Sequence, residues 1–218
     1  MFDALHVYSG GEAHSAAMNM AVDEALLETA STAVLRFYGW RKPSLSFGYF
    51  GRFADVAEEH AHRELVRRWT GGGIVYHGSD LTYSIILPPD EASRFRSSRA
   101  VYAQVHGAIR QALAARLPVE LAPSAAPKVS EACFANAVES DVISDGKKIA
   151  GAAQRRTRAG LLHQGSIQGE TLPAGFCDDF ARALCPAFAS ISYAPETVAR
   201  ATTIAREKYA TREWLHRR

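Results

Sequence analysis

The chain is poor in cysteine, nearly neutral in charge and free of long apolar runs. Three cysteines in 218 residues, Cys133, Cys177 and Cys185, make neither a disulfide framework nor a zinc site, because no CxxC pair exists. No metal centre is therefore expected. A net charge of +2, with basic residues dispersed among carboxylates, lacks the basic stripe of a nucleic-acid binder. No apolar run approaches the roughly 18 residues of a membrane span. Residues 1–11 lack a basic segment followed by an apolar one, so no signal peptide is expected and the default location is cytoplasmic. What remains is ordinary globular material, 47% hydrophobic and 22% charged. The length suits a single domain over residues 1–218.

Periodicity divides the chain. Met18, Ala21, Val22, Ala25 and Leu26 recur at helical spacing, predicting an amphipathic helix over 15–30 with Asp23, Glu24 and Glu28 on its other faces. Extended runs follow at 34–38 and 44–48, a helix is predicted over 55–66, and extended runs at 67–69 and 74–77 flank a glycine run. Leu81, Tyr83, Ile85 and Leu87 alternate as in a half-buried strand. Residues 98–117 read as a helix. Asp145-Gly146 between two β-like runs is a hairpin signal, a strand follows through 162–167, and helices close the chain at 176–184, at 196–209 and near Trp214. Helices mixed with a largely antiparallel meander give an α+β fold: a central mixed, mainly antiparallel sheet flanked by helices.

Two segments carry candidate chemistry. Gly71, Gly72 and Gly73 lie inside a β-rich region, where three glycines cost conformational entropy. They fit either close backbone approach to a ligand or a tight strand connection. No GK[ST] follows, so this is not a nucleotide P-loop. Arg68 and His77 bracket the run, and a guanidinium can grip a carboxylate or phosphate. In the hairpin, the small residues at 150–153 leave a strand face open, and Lys148 sits beside it. Such a lysine can hold a carboxylate, an acyl carbonyl or a phosphate, or be an ordinary exposed hairpin residue. His163, on the next strand, is either structural or a titratable group of the site.

These segments occur in a familiar order. Arg68-x-Thr70-Gly71-Gly72-Gly73-Ile74-Val75-Tyr76-His77 resembles the RRxSGGGAVFH-type motif of the lipoate–protein ligase A family. The run from Asp141 through Gly146-Lys147-Lys148-Ile149-Ala150-Gly151 to Gln154 resembles its DLxxxGKKIxGxAQ hairpin, and Leu162-His163-Gln164-Gly165-Ser166 its HHG[TS] strand. The match runs from about residue 15 to residue 170. The resemblance implies the biotin/lipoate ligase catalytic fold, without a C-terminal accessory domain, and a U-shaped pocket for an acyl chain. Arg68, Thr70, Gly71, Gly72, Gly73 and His77 would line it. Lys148 would contact the acyl carbonyl, Asp141 and His163 would lie toward the nucleotide side, and Gly151 would leave room for the chain. Gln164 stands where many ligases have a second histidine, and the glycine- and arginine-rich loop of biotin ligases is absent.

The resemblance implies attachment of a lipoyl or octanoyl group to a lysine of a lipoyl-carrier domain, either the glycine-cleavage H protein or a dehydrogenase E2. Two routes stay open. A ligase consumes ATP and Mg to activate lipoate as an adenylate. A transferase takes octanoate from acyl carrier protein onto a cysteine thiolate. Cys133, in Glu131-Ala132-Cys133-Phe134, resembles the nucleophile of the cysteine-dependent LipM-type octanoyltransferases, and a nearby Lys148 cation would lower its pKa. A buried structural thiol is the plain alternative, and Cys177 and Cys185 read as structural. A third reading is a non-catalytic module that binds lipoate or a carrier domain. The cluster Arg155, Arg156 and Arg158 is either a solvated turn or a surface that steers an acidic carrier domain.

Overall fold

The computed structural model describes residues 2–9, 13–125 and 137–217. Cys133 lies outside them. The chain opens with β1 (Leu5–Tyr8), α1 (Ala16–Thr29), β2 (Ala33–Tyr38) and β3 (Ser44–Phe47), and continues through β4 (Glu64–Arg67), β5 (Ile74–His77) and β6 (Leu81–Leu87). Next come α2 (Pro89–Ser93), α3 (Ser98–Leu113), β7 (Val119–Leu121), β8 (Val142–Ser144), β9 (Lys147–Thr157) and β10 (Gly160–Ile167). The last elements are α4 (Phe176–Leu184), β11 (Ala189–Ser190), α5 (Pro195–Ile204) and α6 (Arg212–His216), with a π-helical turn at Ala205–Tyr209.

Eight strands form one sheet in the order β11-β1-β2-β6-β10-β9-β8-β7, and β4-β3-β5 form a smaller second sheet. β1 runs parallel to β2 and β11, and β3 to β4; the other pairs are antiparallel. The α+β expectation of a mixed, mainly antiparallel sheet flanked by helices holds.

The period of two sorts the large sheet's side chains. Leu35, Phe37, Tyr83, Ile85 and Leu87 pack with α3 and α4 through Val101, Val105, Ile109, Phe180 and Leu184. Val34, Ile86 and Leu162 point the other way, into α1 and α5, meeting Ala21, Val22, Ala25 and Ala201. Both faces are covered, so β6 is buried nearly throughout, not half-buried as its alternation predicts. Helix α1 is likewise wedged between sheet and α5: Asp23 is fully buried and Glu24 only 9% exposed, so two of its expected outer-face carboxylates lie inside.

The predicted helix over 55–66 does not form. Its first half breaks into 3-10 turns at Phe53–Asp55 and Ala57–Ala61, and its second half becomes β4, in register with β3. Pairing with a neighbouring strand overrides the helix propensity of the Ala, Glu, Arg and Leu residues here. The Asp145-Gly146 turn is as expected: both residues have positive φ, 47° and 73°, the signature of a type I′ hairpin turn.

Candidate active site

A cleft opens between the two sheets. Ser46, Arg68, Val75 and His77 face it from the small-sheet side. Thr82, Lys148, Gly151 to Ala153 and Gln164 to Ser166 face it from the large sheet, and Met20, Tyr38 and Trp40 complete the wall.

The small-sheet wall is a chain of hydrogen bonds. Arg68 donates to Ser46 Oγ (2.7 Å) and to the carbonyls of Gly71 (3.0 Å) and Gly73 (2.8 Å). His77 Nε2 is 2.7 Å from Ser46 Oγ, and its Nδ1 is 2.8 Å from Asp80 Oδ2. Asp80 also accepts from Thr82 and Ser166, while Trp40 stacks on His77 and donates to Thr82. Burial holds His77 below the ordinary histidine range despite the neighbouring Asp80. Burial alone would raise Asp80, but hydrogen bonds from His77, Ser166 and Thr82 hold it below the usual carboxylate value. Ser46, His77 and Asp80 have the spacing of a nucleophile triad. The chain ends on the Arg68 cation, however, and it serves to fix the guanidinium under the glycine loop. The loop itself is packed tight: a Cβ on Gly48 would sit 2.0 Å from the Gly72 carbonyl oxygen, so only glycine allows this approach.

On the large sheet, Lys148 Nζ lies 2.9 Å from Asp141 Oδ2, with side chains 7% and 0% exposed. Asp141 also accepts from Tyr102 Oη and from the Val138 N–H (2.6 Å). A β-bulge sets this up. Ile143 pairs with Lys148 and Val142 with Ala150, so Ile149 is an extra residue, and bulges re-aim side chains. In a regular strand Lys148 and Gly151, three apart, would point to opposite faces. Here a Cβ on Gly151 would lie 2.3 Å from Lys148 Cε and 2.6 Å from Nζ.

Of the residues singled out in the sequence, Arg68, His77, Lys148 and Gly151 converge on the cleft. Thr70 is buried and donates to Gln164 Oε1 (2.8 Å), so it supports the wall from behind. Gly71, Gly72 and Gly73 are fixed by their carbonyl contacts with Arg68 and Gly48. Asp141 stands behind Lys148. His163 does not reach the cleft: it is fully buried within the layer under α3, bonded to Gln154 (2.8 Å) and Tyr83 (3.3 Å). Strand parity places it on the face opposite Gln164. Cys185 is buried in the core and Cys177 packs against it. Arg155 lies over Trp69 and Tyr49, so only Arg156 and Arg158 of the basic cluster are exposed.

Sequence reasoning passed over Asp80, Tyr102 and Thr82. It met Gln164 only as a departure and Asp23 only as a surface carboxylate. Asp23 accepts from Arg36 (2.7 Å), Ser84 (2.7 Å) and Gln164 (2.7 Å), all buried, which makes it the hub beneath the cleft. The signal available was a carboxylate three residues after His77 and another one turn after Asn19 in α1.

Residues 15–211 match the lipoyl protein ligase A/B catalytic domain. The chain belongs to that family. Within the lipoyl protein ligase A/B family it is 39% identical over 162 residues to an octanoyltransferase LipM of Oceanobacillus iheyensis, covering 70% of this chain and 59% of the relative. The match thus spans about three fifths of that relative's length. A Thermoplasma acidophilum protein with bound lipoic acid superposes with a TM-score of 0.76 at 21% identity, covering 99% of this chain and 100% of the other. A bipartite lipoate protein ligase with its E2 lipoyl domain, also from T. acidophilum, gives 0.66 at 21% identity, covering 99% and 97%. These structures share the fold. Among the described residues no helix is long and apolar enough to cross a membrane.

His106 of α3 gives a pH prediction. It is fully buried, its Nδ1 donates to the Ser140 carbonyl (2.7 Å), and its Nε2 has no partner among the described residues. Burial pushes it down to about 4, and burial also holds His163 well below its ordinary value. Tyr102, Asp141 and Lys148 surround the pair. A histidine with a lowered folded pKa contributes stability that is complete above its unfolded value and is lost as pH falls. Linkage puts the loss from His106 at about 2 kcal/mol between pH 7 and pH 5. Urea unfolding at the two pH values is expected to show this, and His106→Asn to flatten the slope. Equal slopes for the two proteins would remove His106 as the cause.

Proposed function

We propose that this chain transfers a medium-chain acyl group, octanoyl or lipoyl, to a lysine of a lipoyl-carrier domain, and that octanoyl transfer through Cys133 is its principal route. The carrying observation is Lys148: a cation held by Asp141 in a cleft between two sheets, beside a strand stripped of large side chains at Gly151, Ala152 and Ala153. In such a site the ammonium stabilises charge that develops on an acyl oxygen. The Cys133 thiolate attacks the thioester carbonyl of octanoyl-acyl carrier protein, and the carrier thiol leaves. The acceptor amine then attacks the enzyme thioester, forming the amide and returning the thiolate. Arg68, braced by Ser46 and the loop carbonyls, lines the substrate's path with His77.

The likeness to LipM supports this route, as does Asp141. Its carboxylate already accepts from Tyr102, Val138 and Lys148, which suits it to anchoring the lysine better than to meeting a nucleotide's magnesium. The E2 lipoyl domain of the T. acidophilum system supports a lipoyl domain as acceptor here; the glycine-cleavage H protein offers the same lysine chemistry.

The test is intact mass of an apo lipoyl domain after incubation with the protein. One reaction contains octanoyl-acyl carrier protein without ATP, and the other free lipoate with ATP and magnesium. Cys133→Ala is run beside the parent. Octanoylation without ATP, lost in Cys133→Ala, is expected. Lipoylation that needs ATP and survives the substitution would make the chain a ligase. Modification in neither would favour a non-catalytic binding module.

Gly151→Ala is expected to lower kcat/KM for transfer about 100-fold, the scale of an ångström-level misplacement, because its Cβ occupies the space of the Lys148 tip. Initial rates with the circular dichroism melt check this. Full activity in a folded Gly151→Ala protein would mean that Lys148 works from another position.

A further inference from the structure

We infer that Tyr102 of α3 is a positioning residue for Lys148, acting through Asp141; this rests on the acyl-transfer reading above. Tyr102 faces the sheet from a helix on the far side of β9. Its hydroxyl donates to Asp141 Oδ1, while the other carboxylate oxygen meets Lys148 Nζ at 2.9 Å. The same hydroxyl accepts the Ala152 N–H at 3.1 Å, so it ties the carboxylate to the backbone of the strand that lines the cleft. A carboxylate carries two oxygens in a fixed plane. Holding Oδ1 by Tyr102 and Oδ2 by the Val138 N–H leaves one orientation from which to hold the ammonium.

The surroundings fix Tyr102 in turn. Its ring packs on His106 at 4.1 Å and near His163 at 5.6 Å between centroids, and His106 pins the Ser140 carbonyl just before Asp141. Burial, then the Asp141 charge, raises the phenol well above its usual range, so the proton stays on the hydroxyl and the donor is permanent. α3 therefore supplies the orientation and β8–β9 supply the charge.

The experiment is a double-mutant cycle with a spectroscopic arm. Tyr102→Phe keeps the ring and removes the hydroxyl. It is expected to lower kcat for octanoyl transfer roughly 10- to 100-fold, with KM for the acyl donor within about threefold, since the cleft's other contacts stay. In an Asp141→Asn background the same substitution is expected to cost less than about threefold, because the element it acts through is gone. Tyr83→Phe, which removes a similarly buried hydroxyl that bonds only to His163 among the described contacts, serves as the control for a merely structural loss.

The spectroscopic arm does not need turnover. In protein labelled with ¹⁵N-lysine, the Lys148 ammonium resonance, assigned by its absence in Lys148→Met, is expected to be sharp in the parent and in Tyr83→Phe. It is expected to broaden or shift in Tyr102→Phe. An equal loss of kcat in both Asp141 backgrounds, or an unchanged resonance, would overturn the assignment. If the parent transfers nothing, the acyl-transfer reading fails, and the resonance alone still decides whether Tyr102 positions Lys148. If Tyr102→Phe does not fold, 3,5-difluorotyrosine at 102 alters the donor without removing it, and a resonance identical to the parent's would again overturn the proposal.

Discussion

Lys148→Met is expected to reduce acyl transfer about 1000-fold or more while the protein stays folded. Removing one preorganised donor from a developing oxyanion costs two to three orders of magnitude, and here the substitution also leaves Asp141 buried without its cation. Both effects act on the same atoms, so a second variant must separate them. Lys148→Met combined with Asp141→Asn removes the stranded charge, and it is expected to recover stability without recovering turnover. Lys148→Arg is expected to recover little, because the planar guanidinium is larger than an ammonium and the space at Gly151 is already filled by the lysine tip. Single-turnover transfer from octanoyl-acyl carrier protein measures the chemical step directly. A Lys148→Met protein that retained a tenth of the parent rate would remove Lys148 from the reaction and leave it as a structural ion pair.

The second large effect concerns stability. Asp23→Ala is expected to cost about 3–5 kcal/mol, the range for removing one partner of a buried ion pair. For a chain of this size that lowers the melting temperature by about 10 °C. Arg36 and Asp23 are both fully excluded from solvent and 2.7 Å apart. Arg36 is further held by Asn19 and Tyr193, and Asp23 by Ser84 and Gln164. Once Asp23 is gone the guanidinium keeps a charge that the interior does not solvate. Asp23→Leu with Arg36→Met is expected to be more stable than Asp23→Ala, since an apolar pair replaces an unmatched charge. Urea unfolding of the three proteins tests this. A loss below 1 kcal/mol for Asp23→Ala would show that water reaches the site in solution. Through Gln164 and Thr70 this hub also supports the back of the glycine loop, so the single variant is expected to lose activity in proportion to more than its unfolded fraction.

Much of this molecule is legible along the chain. Alternation marks β6, helical spacing marks α1 and α3, and Asp145-Gly146 marks the hairpin, because each depends on neighbours in sequence. The order of the glycine run, the lysine hairpin and the His163 strand identifies the family, and Arg68, His77, Lys148 and Gly151 do meet at one cleft. The side of β10 to which His163 points is not legible along the chain, because which face of a strand opens on a cleft is set by what packs on the other side. Helix α3 claimed that face, and burial turned the histidine into a neutral structural group.

The sequence by itself determined the element types and which residue types were available for acyl chemistry. Tertiary structure decided their partners. Strand pairing converted half of a predicted helix into β4, and packing of α1 on the large sheet turned an expected surface carboxylate into the buried hub Asp23. One extra residue in β9 brought Lys148 and Gly151 to the same side of a strand whose period of two would have kept them apart. The first two depend on contacts between segments tens to more than a hundred residues distant and the third on strand pairing that departs from the period of two, and local periodicity carries no record of them.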